Sequence, residues 1–170
     1  LIGTPQNDLA SSQYLSKVCG VEFSPAPHFD LEEEYKLQQT IAKLIEEKCI
    51  RSAHDISEGG LFVTLAESGF TNLLGFDAKS ADGIRKDAFW FGEAQSRVAV
   101  SVSREHAEKF RKLMQASGIA FSLLGHVTDG DVKVDGANWG SIEQWKDKYD
   151  NAIGKMLAKE LESEGALGMI

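Results

Sequence analysis

The amino-acid sequence predicts an α+β fold, a mixed and largely antiparallel sheet with flanking helices in layers. Three observations carry that prediction. Segments of helical and of alternating periodicity interleave along the chain. Val98, Val100 and Val102 alternate with small or polar residues, the pattern of a strand with one buried face. The dipeptide Asp129-Gly130 separates apolar runs at 119–127 and 131–134 as a hairpin turn does, which excludes a purely parallel sheet.

The elements follow in order. Asp8 is placed to cap a short helix carrying Leu9, Tyr14, Leu15 and Val18. Pro25-Ala26-Pro27 forbids helix and marks a connection. Asp30 with Glu33 forms a capping-box pattern, and Leu37, Ile41, Leu44 and Ile45 make one apolar stripe behind it. A short strand is expected over 50–56, and after Gly59-Gly60 an apolar helix from Leu61 to about Ser68. Residues 73–78 read as a strand, and 81–93 match neither period. Phe89-Trp90-Phe91 within that stretch indicates buried packing. A helix over 105–116 carries Ala107, Phe110, Leu113 and Met114 on one face. Ser141 and Gln144 cap a last helix with Ile142, Trp145, Tyr149, Ile153 and Met156 along one side. The tail from Ser163 is expected to fray.

The 170 residues suit a single domain, 1–170, and the opening Leu1-Ile2-Gly3, which reads as the end of a strand, suggests a fragment of a longer protein. The net charge of −8 and the lack of a Lys/Arg cluster argue against nucleic acid as a partner. No apolar run reaches membrane-spanning length, so no membrane is expected. Cys19 and Cys49 stand in no metal-binding spacing and read as small apolar fillers in a reducing, cytoplasmic setting.

The segment Ala53-His54-Asp55-Ile56-Ser57-Glu58-Gly59-Gly60-Leu61 holds the candidate chemistry. A strand runs into two glycines and then a helix. Such a junction admits a ligand close to the main chain, and the helix start offers free N–H groups to phosphate. Strand alternation puts Asp55 and Ser57 on one face and His54 on the other. A carboxylate beside a hydroxyl suits a magnesium-borne nucleotide, because Mg²⁺ takes few protein ligands and shares phosphate oxygens. The metal would also reconcile an acidic protein with a phosphate ligand. The alternative local reading makes Ser57 a helix cap, Glu58 a first-turn acid and Asp55 a solvated loop residue.

That segment resembles the signature of the C-terminal domain of phosphoribosylformylglycinamidine synthase, within the aminoimidazole ribonucleotide synthetase superfamily. Three further blocks support the resemblance, in family order: Asp8-Leu9-Ala10-Ser11-Ser12-Gln13-Tyr14, Phe91-Gly92-Glu93-Ala94-Gln95-Ser96-Arg97, and Leu124-Gly125-His126-Val127. The resemblance implies the superfamily's C-terminal fold. It also implies an ATP-dependent ligase that converts formylglycinamide ribonucleotide and glutamine-derived ammonia to the amidine, with ATP and Mg²⁺ as cofactors. It assigns Asp55 to the metal, Ser57, Gly59 and Gly60 to the nucleotide or substrate, and His54 and Glu58 to support. The implied partners are a missing N-terminal synthetase domain and a glutaminase domain or subunit, so the fragment alone is expected to be inactive.

Ala10-Ser11 departs from the family's Gly-Gly, and Ser12 reads as a capping or packing residue. Glu93 and Arg97 read as structural, paired with each other or with neighbours. Rival readings are a related aminoimidazole ribonucleotide synthetase or thiamine-phosphate kinase type, or a non-catalytic α+β interaction module.

Overall fold

The computed structural model describes residues 1–167. Nine residues after the first proline, Pro5, the chain makes one wide helical turn, Tyr14–Val18. Ser12 begins it: its hydroxyl donates to the Leu9 carbonyl (2.7 Å) and accepts the Leu15 N–H (3.1 Å). Ser12 is therefore the capping residue expected. Asp8 is not: its carboxylate accepts the N–H groups of Ala10 (2.8 Å) and His28 (3.1 Å), pinning two ends of the loop around the turn.

Helix α1, Leu31–Glu46, starts at Asp30, whose carboxylate accepts the N–H groups of Glu32 and Glu33, both at 2.9 Å. Its inner face buries Leu37, Thr40 and Leu44, while Ile45 lies exposed. Strand β1 (Ser52–Asp55) leads through the glycine turn into α2 (Gly60–Phe70), and β2 (Gly75–Ala78) follows. The stretch that matched neither period contains α3, Lys86–Phe91, too short for a period to show. After β3 (Val98–Ser101) come α4 (Ala107–Ser117), β4 (Gly125–Thr128), β5 (Asp131–Val134) and β6 (Ala137–Ser141).

The α+β fold with mixed, largely antiparallel pairing is as expected, and its strands divide between two sheets. The smaller pairs β1 with β3 antiparallel, His54 opposite Ala99 and Asp55 opposite Val98. Ile2 extends it, bridging Val98 on one side and Phe121 on the other. The larger runs β4-β2-β5-β6, with only β2 and β5 parallel. Asp129-Gly130 is thus not a hairpin turn, because β2 lies between the strands it joins. The link crosses the start of β2 at Gly75, where a Cβ would sit 2.0 Å from the Asp131 carbonyl oxygen. The hairpin is β5–β6, turned by Asp135 (φ 52°) and Gly136 (φ 80°), an Asp-Gly pair with both residues in the left-handed region.

Two apolar clusters hold these layers. Leu61, Phe62, Phe76, Phe89, Trp90, Val132, Val134 and Ile142 join α2 and α3 to the larger sheet. Ile2, Leu37, Leu44, Cys49 and Met114 join α1 and α4 to the smaller one. Each such aliphatic or aromatic side chain contributes about 1.5–3 kcal/mol when fully buried. Cys49 fills the core as expected, whereas Cys19 is exposed. The last helix is divided at Asn151 into α5 (Ile142–Asp150), opened by the Ser141/Gln144 capping box, and α6 (Ala152–Leu167). Ile142 is buried, but Tyr149, Ile153 and Met156 are exposed, so the expected apolar stripe meets no core over most of its length. The expectation of a frayed tail falls on the end of α6 and on residues 168–170, which lie outside the described residues. Among the described residues no helix is long and apolar enough to cross a membrane.

Candidate functional site

The signature segment begins where β1 leaves the small sheet. Ile56 turns inward and is buried, and its N–H donates to the Arg97 carbonyl (3.0 Å). The residues on either side of it turn out: the Asp55 side chain is 78% exposed, and Ser57 and Glu58 are exposed as well. His54 faces the other way, with Nε2 3.5 Å from the Glu67 carboxylate on α2 and Nδ1 2.8 Å from the Asp55 carbonyl. The buried Thr64 hydroxyl, one turn into α2, donates to that same carbonyl (3.2 Å). Helix and strand end are thus tied directly beneath Asp55.

Both glycines hold left-handed backbone, Gly59 at φ 84° and Gly60 at φ 72°. Gly60 also has no room for a side chain, since a Cβ would stand 2.7 Å from the Phe91 main chain. Sequence reasoning expected the amides here to be free for phosphate. Those of the two glycines are not. The Gly60 N–H donates to the Ser57 carbonyl (3.0 Å), and the Gly59 N–H donates to Glu93 Oε1 (2.9 Å). The glycines therefore give the turn its shape, not its donors.

Glu93 is the residue that sequence reasoning undervalued. The same Oε1 accepts the Gln13 N–H (2.7 Å), so one carboxylate oxygen joins the turn at 59 to the start of the helical turn at 14. Tyr14 is stacked on Phe91, rings 5.0 Å apart and 5° from parallel. Arg97 does not pair with Glu93. It is 2% exposed, with Nη2 donating to the Gly92 carbonyl (2.8 Å) and Nε to the Ala94 carbonyl (3.0 Å), while Nη1 is buried without a partner. Burial pulls its guanidinium down to about 10, against the influence of the Asp8 carboxylate, and it remains charged at neutral pH. No periodicity reveals these contacts, which span 34 and 80 residues. The only signal was the recurrence of the two blocks together.

At the opening block Ser11 holds φ 55°, left-handed backbone that favours glycine. Among the described residues no three His, Cys, Asp or Glu side chains gather as a metal cage. Asp55 instead offers an exposed carboxylate, with His54 Nδ1 3.7 Å away. That suits a hard cation that keeps waters and takes its other oxygens from a phosphate ligand. The concavity between α1 and α4, about 260 Å³, is lined by none of these residues. Asp55 and Ser57 instead lie on an open face of the domain.

Comparison with known proteins shows the family and the fold. The family model described as AIR synthase related protein, C-terminal domain, matches residues 1–136. A phosphoribosylformylglycinamidine synthase subunit PurL of Anaeromyxobacter dehalogenans is 32% identical over 176 residues, covering 98% of this chain and 23% of that protein. The structure of Thermotoga maritima PurL complexed with FGAR superposes with a TM-score of 0.69 at 15% identity, over 84% of this chain and 26% of that one. The same protein complexed with ATP superposes with a TM-score of 0.55 at 16% identity, over 64% of this chain and 20% of that one. The chain therefore spans about a quarter of the length of these proteins, and it belongs to the AIR synthase related family as a C-terminal domain.

Proposed function

We propose that this chain is the C-terminal domain of an ATP-dependent carbon–nitrogen ligase of purine biosynthesis. The full protein converts formylglycinamide ribonucleotide and ammonia to formylglycinamidine ribonucleotide. The observation that carries this reading is the pair of exposed side chains, Asp55 and Ser57, on either side of buried Ile56 at a glycine turn. The names of the relative and of the solved neighbours, one holding FGAR and one ATP, support it.

In this reading Asp55 supplies an oxygen to Mg²⁺, and Ser57 hydrogen-bonds the nucleotide. Gly59 and Gly60 let the main chain turn sharply enough to keep both side chains outward, while His54 and Glu58 support the turn. Mg²⁺ neutralises phosphate charge where the protein is acidic. ATP phosphorylates the amide oxygen of the substrate, and ammonia then displaces phosphate to leave the amidine. The face around Asp55 is open, so an N-terminal synthetase domain of the same protein closes it and a glutaminase domain or subunit delivers the ammonia. The enzyme works in the cytoplasm.

The test is ATP turnover by the full-length protein with formylglycinamide ribonucleotide and ammonium, read as ADP and amidine. The isolated chain, titrated with Mg²⁺-ATP, is expected to bind weakly and to turn over nothing. Absence of amidine formation by the full-length protein overturns the reading.

A further inference from the structure

We propose that Glu93 is the positioning residue of the site, acting on Asp55 and Ser57 through the main chain of the turn between them and α2. Three observations support this. A single oxygen of its carboxylate accepts the N–H groups of Gly59 (2.9 Å) and Gln13 (2.7 Å), and so fixes the distance between two loops far apart in sequence. Arg97 donates to the carbonyls of Gly92 and Ala94, the residues immediately before and after Glu93, which holds the main chain from which the carboxylate projects. The Arg97 carbonyl accepts the Ile56 N–H (3.0 Å), so the 92–97 loop grips the signature segment at both ends, Ile56 at one and Gly59 at the other.

A carboxylate is well chosen for this. It accepts two N–H groups on one oxygen, and its negative charge lies at the start of α2, where the helix dipole favours it. It also fills the place that a phosphate would take on the Gly59 amide. A bound phosphate therefore meets the outward side chains, not this N–H. Glu93 touches neither ligand nor metal in this assignment. Its effect is the placement of Asp55 and Ser57.

The experiment compares Glu93→Gln with Glu93→Ala in the full-length protein. Its kinetic half rests on the ligase reading. Gln keeps a carbonyl oxygen within reach of both N–H groups, so Glu93→Gln is expected to hold kcat and the KM for ATP within a few-fold. Glu93→Ala is expected to lower kcat/KM for ATP about tenfold or more, the cost of a misplaced reacting group. Hydrogen exchange supplies a readout independent of activity. The amides of Gln13 and Gly59 are expected to lose protection in Glu93→Ala and to keep it in Glu93→Gln. Equal loss of activity in both variants makes Glu93 a chemical participant and overturns the proposal. So does a Glu93→Ala protein that is less heat-stable yet keeps its kinetics and the protection of both amides. If the wild-type protein proves inactive, the ligase reading fails by itself, and the exchange comparison still decides the role of Glu93.

Discussion

Gly60 lies so close to the main chain of Phe91 that a Cβ on residue 60 would stand 2.7 Å from the Phe91 Cα, closer than such atoms approach. The start of α2 is seated on the end of α3, and only a residue without a side chain fits there. Gly60→Ala also places a side chain at φ 72°. It is expected to cost about 1–3 kcal/mol for the backbone alone and more for the contact. Gly83 is the control, with φ 77° and open space around it. Urea unfolding should show Gly60→Ala losing clearly more than Gly83→Ala. Equal losses would mean that the close approach is not what demands glycine.

Asp55→Ala removes the exposed carboxylate assigned to the metal. In the full-length protein, amidine formation at saturating ATP is expected to fall about a hundredfold or more. The side chain is 78% exposed, so the variant should unfold at the same denaturant concentration as the wild type. Near-normal turnover in a Mg²⁺ titration would remove Asp55 from the metal site.

Arg97→Met leaves the carbonyls of Gly92 and Ala94 without their donors and lets the loop around Glu93 relax. Loss of buried, charge-assisted hydrogen bonds is expected to cost about 3 kcal/mol or more. The measurement is the urea midpoint, with Arg85→Met, an exposed arginine, as the comparison. A shift no larger than that of Arg85→Met would show that the buried guanidinium does not brace the loop.

Asp135 predicts an acid limb. Burial alone would raise its carboxyl, but the Ser80 N–H, the Lys86 ammonium and the Ser80 hydroxyl outweigh burial and bring it down to about 2. A group lowered in the folded state stabilises the fold above its unfolded value, and that contribution fades as pH falls. The loss therefore runs from about pH 4 down to about 2 and amounts to at most about 2 kcal/mol. Asp135→Asn should flatten the stability profile over that window. An unchanged profile would show that the Asp135–Ser80 contact carries no linkage.

Much of the local structure was legible because it is written in short-range chemistry. The Asp30 cap, the Ser141/Gln144 capping box and the strand at Val98 depend on neighbours within a few positions. Errors came where local grammar is ambiguous. Two Asp-Gly pairs occur six residues apart, and nothing in either dipeptide says that the second turns the hairpin while the first crosses β2. The single apolar stripe after Ser141 ran through Asn151, where the helix is divided. At the site, alternation anticipated the outward Asp55 and Ser57 and the turned-away His54. The bracing by Glu93 and Arg97 was hidden, because a carboxylate's partners 34 and 80 residues distant leave no mark on its own neighbourhood.

The placement of Ile2 between β3 and Phe121 has a consequence for how the domain is made. The Leu1 amino group donates to the Ser122 carbonyl across 121 positions, and the Ser122 N–H donates back to the Leu1 carbonyl. Residues 1 and 2 therefore find their partners only once Phe121 and Ser122, more than a hundred positions later in sequence, are in place. Contacts of such long range are slow to close and add little until they do. The small sheet that ends in Asp55 therefore depends on the longest-range pairing in the domain, and its closure is expected to lag behind that of the locally built helices.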